Sequence, residues 1–299
     1  HTATLLPDGR VLVVGGFYDY DLLETDAAEV YDPATGQWSA AASLSVSRGD
    51  HAAVLLPDGY VLVAGGFGSA GNTAEVYDPA SDTWSVTALL NGYASEPTLN
   101  LLPSGEVLLA FSAFSTAGKQ PDFVGFPEIF DPSAGLWTVV DDAELVRELH
   151  TATLLPDGRV LLAGGLLGEG FEDLAEIFDP AAGALSYVAY MVTPRYGHTA
   201  TLLADGRVLV AGGYGEEYSP TASAELFDRG LGFQEAWRPQ LSAATSPLPL
   251  DSSLIASGGG FRGPAEASGG NTATSATNYP LVQMISLVNE QFLWLPADP

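Results

Sequence analysis

The sequence predicts an all-β fold made of six like units, each with four short antiparallel strands. Three observations predict it: a segment that returns about every 50 residues, apolar runs of strand length stopped by Gly-Gly, and turns of fixed chemistry between them. The most regular segment, residues 1–16, reads HTATLLPDGRVLVVGG and returns at 51–66, 150–165 and 198–213. Two copies are degenerate. In the third, Pro97 holds the His position, Pro103-Ser104-Gly105 makes the turn and Phe111-Ser112 stands roughly where Gly-Gly is expected. In the sixth, only residues 254–259 survive clearly.

The first strand runs from the His to Leu-Leu and turns at Pro-Asp-Gly, where Pro presets φ and Gly takes the left-handed position. The second strand, Val-Leu-Val-Val in the first unit, is apolar on both faces, so both faces must be covered, and neighbouring units are the natural cover. A third strand follows a variable insert and carries Glu29, Glu75, Glu128, Glu176 or Glu225, then usually ends at Asp-Pro, whose ring cannot continue a ladder. The fourth carries Trp38, Trp84 or Trp137, large enough to wedge between adjacent sheets at their outer edge. Leu185 replaces that Trp in the fourth unit, and Trp237 follows a longer turn in the fifth.

Gly-Gly after the second strand, Tyr-Asp-Pro after the third and Trp on the fourth resemble the kelch repeat, over nearly the whole chain. The resemblance implies a six-bladed kelch-type β-propeller. Its expected blades are 1–43, 44–90, 91–142, 143–191, 192–240 and 241–299, in a single domain. The closing segment, with Tyr279, Phe292 and Trp294, is similar to the final unit of bacterial multi-kelch proteins. Because the chain starts on a first strand and stops after a fourth, no strand exchange is expected to latch the ring. A seventh blade upstream of His1 is the alternative to six.

Charge and composition remove several function classes. Ten Lys+Arg against 37 Asp+Glu give a net charge of −27, which excludes a nucleic-acid surface resting on bulk charge and is repelled by anionic membranes. No apolar run approaches the length of a membrane helix, so no membrane insertion is expected. With no cysteine there is no disulfide framework, thiol nucleophile or Cys-ligated metal. A kelch-type copper-radical oxidase is closed by the same absence, since that family's cofactor needs a cysteine crosslinked to tyrosine.

Function is expected on one face. In a kelch-type propeller the second-to-third loops and the lead-ins to the first strands lie together. Here those loops, 17–26, 67–72, 112–125, 166–173, 214–222 and 261–276, differ in length and content, while the turns of the other face are near copies. The expected ligand-binding residues are Arg48, Arg147 and Arg195, three residues before the repeat His, with the aromatics Tyr18, Phe67, Tyr93, Phe171, Tyr196 and Tyr214. In the kelch propeller that captures acidic peptides, arginines near this position hold carboxylates. Guanidinium forks bind carboxylates bidentately. The structural alternative pairs each Arg with a nearby acid such as Asp50, Glu148 or Glu216.

His1, His51, His150 and His198 share one repeat position on separate strands, which favours structural hydrogen bonding over a shared metal site. The repeated Glu residues read as scaffold for the same reason. No cofactor is required. Calcium is the one metal with a candidate, in the acid-rich loops holding Asp19, Asp21, Glu24 and Asp26, and Glu169, Glu172 and Asp173.

The reading that results is a non-catalytic binding module, extracellular or on the cell surface, that takes a protein, peptide or glycan. It is expected as a monomeric domain of a longer chain. One alternative is a carbohydrate-active enzyme such as a sialic-acid mutarotase-like protein, which the kelch resemblance and the three arginines suggest. The other is a structural segment of a larger surface protein.

Overall fold

The computed structural model describes residues 1–18, 23–115, 122–124, 126–140, 147–167, 170–203 and 205–230, together with five later strands: Gln240–Ala244, Ala256–Gly259, Ser268–Gly269, Val282–Ile285 and Phe292–Leu295. The first unit forms a four-stranded antiparallel sheet in chain order: Thr2–Leu5, Val11–Val14, Ala28–Asp32 and Gln37–Ala41. Its register sets Thr2 opposite Val14, Val11 opposite Tyr31, and Tyr31 opposite Trp38. The second unit repeats it with Ala52–Leu55, Val61–Ala64, Ala74–Asp78 and Thr83–Val86.

The third unit keeps the order with Ser95–Leu101, Val107–Ser115, Glu128–Asp131 and Leu136–Val139; its long second strand also pairs with Asp122–Val124. The fourth is Thr151–Leu154, Val160–Ala163, Leu174–Asp179 and Ala184–Tyr190, and its first strand accepts Ser268–Gly269 of the sixth unit along its free edge. Three strands of the fifth are described, Thr199–Leu202, Val208–Ala211 and Ala224–Phe227. The sixth contributes two hairpins, Gln240–Ala244 with Ala256–Gly259 and Val282–Ile285 with Phe292–Leu295. First strands of successive units from one to five lie side by side. The architecture is a kelch-type β-propeller.

The core lies between blades. Alternate residues of one strand face opposite neighbours. Val61 and Val63 join a cluster with Leu12 and Val14 of the first blade, whereas Leu62 and Ala64 join one with Leu99 and Leu109 of the third. This is why a second strand is apolar on both sides. In the second and fourth units, each flanked by two described blades, the second strands Val61–Ala64 and Val160–Ala163 are buried at every position. In the first and fifth units only alternate residues are fully buried. Two tryptophans wedge as the sequence predicts: Trp84 Nε1 donates to Ala42 O at 2.7 Å, and Trp137 Nε1 donates to Thr87 Oγ1 at 3.2 Å, each on the preceding blade. Trp38 meets Tyr31 at a tilt, ring centroids 5.0 Å apart, and stays more than half exposed.

Candidate binding face

Backbone hydrogen bonds place the second-to-third loops and the first-strand lead-ins at one end of the propeller. Gly16 N donates to Arg48 O at 2.8 Å, Gly66 N to Ala94 O at 2.9 Å, and Gly165 N to Arg195 O at 2.9 Å, so each loop is tied to the lead-in of the next blade. The Gly-Gly pair permits the approach. At Gly164, φ is +61°, and a Cβ would lie 2.5 Å from Arg195 O and 2.7 Å from His198 Cε1. The Pro-Asp-Gly turns meet at the opposite end, where Pro7 packs beside Gly59 and Pro103 beside Gly158.

The arginines are blade ties, a correction to the ligand-binding role expected of them. Arg48 and Arg195 are fully buried and Arg147 nearly so. Arg48 donates to Gly65 O at 2.9 Å, to Thr73 Oγ1 at 3.2 Å and to Glu75 Oε1 at 2.8 Å. Arg195 donates to Gly212 O, Ser223 O and Glu225 Oε1, the last at 2.7 Å, and Arg147 pairs with Glu176. The partners are therefore the repeated third-strand glutamates rather than Asp50, Glu148 or Glu216. Glu75 also accepts from Ser45 N, and Glu225 from Val192 N and Thr193 N, so each carboxylate fastens its strand to the lead-in.

Burial pulls Arg48 below the usual guanidinium range and Arg147 down to about 10. In the third unit, where Ala94 replaces the Arg, Glu128 accepts instead from the backbone and side chain of Asn91 and from Gly92 N. One signal in the sequence would have revealed the pairs: Arg and Glu are separated by 27, 29 and 30 residues in the three units that have both. With the guanidinium groups engaged in this way, the sugar-acid enzyme reading loses the residues that suggested it.

The repeat histidines hold neighbouring blades together, as their placement predicts. His51 Nε2 lies 2.9 Å from Thr2 Oγ1, His150 Nε2 is 3.2 Å from Thr98 Oγ1, and His198 Nε2 is 2.9 Å from Thr151 Oγ1. Burial lowers His51 well below the ordinary range, His150 to about 3 and His198 to about 4, with the adjacent arginine charge acting in the same direction. All three rings are neutral at neutral pH.

The aromatics are arranged differently. Phe17 lies over Gly49 and Tyr93 over Gly71, where each ring occupies the space of the missing Cβ. Tyr18 and Phe67 are mostly exposed. Phe171, Tyr196 and Tyr214 come together with Tyr218, which the sequence reading placed on this face but not among the site residues. Phe171 stacks on Tyr196 at 5.8 Å between centroids, Tyr196 stacks on Tyr214 at 5.5 Å, and Tyr218 meets Phe171 edge-on at 5.3 Å. The backbone builds this platform: Tyr196 and Tyr214 exchange N–H···O bonds at 3.0 and 2.9 Å, Gly170–Phe171 pairs with Leu166–Leu167, and Glu216–Tyr218 forms a 3-10 turn. Tyr214 is 45% exposed and Tyr218 61%. The Tyr196 hydroxyl is pushed above the usual phenol range by burial, then by Tyr218 and Tyr214.

Of the acid-rich loop residues, Asp19, Asp21 and Glu169 lie outside the described residues. Among the described residues no group of three or more His, Cys, Asp or Glu side chains is gathered to hold a metal.

The kelch motif matches residues 1–45 and 48–88. The chain therefore carries kelch repeats. Kelch repeats typically mediate protein interactions. No curated protein matches the sequence. Among solved structures, this kelch propeller is similar to a fungal alcohol oxidase of the AA5 family in complex with copper, at 19% identity and a TM-score of 0.49, over 97% of this chain and 77% of that one.

Proposed function

We propose that the chain is a non-catalytic binding module, acting outside the cell or at its surface, whose loop-rich face takes a peptide, protein or glycan. The observation that carries this is the partly exposed platform of Phe171, Tyr196, Tyr214 and Tyr218, on loops held by a rigid blade scaffold. Rings bearing polar tips supply contact area at low cost in side-chain entropy, and such groups dominate binding energy at interfaces. The titratable groups common to the blades, arginine, glutamate and histidine, are spent on blade cohesion.

The intact protein, screened against peptide and glycan arrays, is expected to retain a ligand that Tyr214→Ala/Tyr218→Ala weakens at least tenfold. Tyr187→Ala/Tyr190→Ala, an exposed ring pair on the fourth blade's outermost strand, is expected to leave binding unchanged. Equal loss in both variants, or no retained ligand, would reject the proposal.

A further inference from the structure

The platform has a charge environment that narrows its ligand. Glu148 exchanges backbone hydrogen bonds of 2.9 and 2.8 Å with Leu166, which is paired in turn with Phe171. A carboxylate is therefore built into the lead-in one strand away from the ring stack. Glu172 follows Phe171 in the chain, and Glu216 opens the turn that carries Tyr218. Beyond Glu148 further carboxyls lie near one another: the Glu96 carboxyl is raised to about 7 by burial, then by the charges of Asp50 and Glu148.

No cation is free to balance this corner among the described side chains. Arg48, Arg147 and Arg195 are buried against Glu75, Glu176 and Glu225. Arg10, Arg159, Arg207 and Arg229 pair with Asp8, Asp157 and Asp205 at the opposite end. Negative ring faces, phenol oxygens able to accept hydrogen bonds, and nearby carboxylates together favour a positive charge and repel a negative one.

Resting on the binding-module reading above, we propose that this corner binds a peptide segment bearing arginine or lysine side chains. A cation would lie against the exposed rings of Tyr214 and Tyr218 beside the half-buried Phe171, with Glu148 and Glu216 facing its charge. Basic peptide chemistry, rather than the acidic ligand that the arginines suggest in the sequence, matches the groups the fold leaves available. A neutral glycan would stack on the same rings but would gain nothing from the carboxylates.

The test uses the intact protein and three fluorescein-labelled Gly-Ser decapeptides carrying four arginines, four lysines or four glutamates, with anisotropy as readout. A labelled neutral oligosaccharide, maltohexaose, is the glycan arm. The arginine peptide is expected to bind at least tenfold more tightly than the glutamate peptide. Tyr214→Ala/Tyr218→Ala and, separately, Glu148→Gln are each expected to weaken it at least fivefold. Asp8→Asn/Asp78→Asn, which removes two acids from the turns of the other end, is expected to change it less than twofold, separating this site from general attraction to a chain of charge −27.

Equal weakening by the Asp8/Asp78 variant would overturn the site, as would equal binding of basic and acidic peptides. Binding of maltohexaose alone, lost in the tyrosine variant, would overturn the basic-peptide proposal while leaving the module reading intact. Absence of ligand in both this panel and the array screen would overturn both. A circular dichroism melt within 2 °C of wild type for each variant establishes that lost binding is not lost folding, and Glu148→Gln keeps the side-chain shape should the tyrosine variant fail that standard.

Discussion

Replacing Glu75 with leucine should destabilise the propeller far more than an exposed ion pair could. Arg48 and Glu75 are 0% and 1% exposed in their side chains and 2.8 Å apart. Removing the carboxylate leaves a guanidinium buried without its counter-charge and also strips Ser45 N of its acceptor. Breaking a buried pair from one side costs about 3–5 kcal/mol, against about 0–1 kcal/mol for an exposed pair. With an unfolding entropy of about 2 cal/mol/K per residue, a chain of 299 residues has about 0.6 kcal/mol/K, so a loss of about 4 kcal/mol lowers Tm by about 7 °C.

Differential scanning calorimetry on the intact chain, run as a double-mutant cycle with Arg48→Met, is the assay. The double variant should lose much less than the sum of the singles, because removing both charges also removes the unpaired one. A ligand-contacting Arg48 would behave otherwise: Arg48→Met would abolish binding with Tm unchanged within 1 °C, and that result would refute the assignment of these arginines to blade cohesion.

Two further outcomes follow from the blade contacts. Gly164→Ala should lower stability by about 1–3 kcal/mol, since alanine is strained at a left-handed φ and its Cβ collides with Arg195 O; a calorimetric Tm equal to wild type would contradict the close approach. Acid should destabilise the protein through its histidines. Because His150 and His198 have folded pKa values of about 3 and about 4, below the unfolded value near 6.5, their contribution is fully present above pH 6.5 and is lost as pH falls toward 4 and 3, at about 1.4 kcal/mol per pH unit for each ring. Over pH 4–6.5, His150→Gln should show a shallower fall in Tm than wild type; parallel curves would count against a buried neutral imidazole.

The repeat made most of the blade architecture legible. Strand-length apolar runs, Pro-Asp-Gly turns and Gly-Gly termini each have a local cause in φ preference, missing donors or side-chain periodicity, and the described blades carry them where the sequence places them. Two loops proved more ordered than loops: 112–125 includes strand from both arms of a hairpin, and 166–173 contains the small Leu166–Leu167/Gly170–Phe171 ladder. The expected loop 261–276 is described only at Ser268–Gly269, which pairs with the fourth blade.

The site was legible only by type. Tyr196 and Tyr214 could be assigned to one face, but their stacking depends on a bridge between two loops from different parts of the fifth unit. Arg48 shows the same limit from the opposite direction. Residue type and repeat position suggest a ligand fork, and only the packing reveals that the guanidinium is already occupied.

Local chemistry thus determined from sequence the repeated strands of each blade, the turns between them, and the absence of thiol chemistry. Tertiary structure decided which charges remain available to a partner. Whether a charged side chain is spent internally depends on the burial and distance of groups some 30 residues away, and those are set by how the third strand packs against the lead-in to the first.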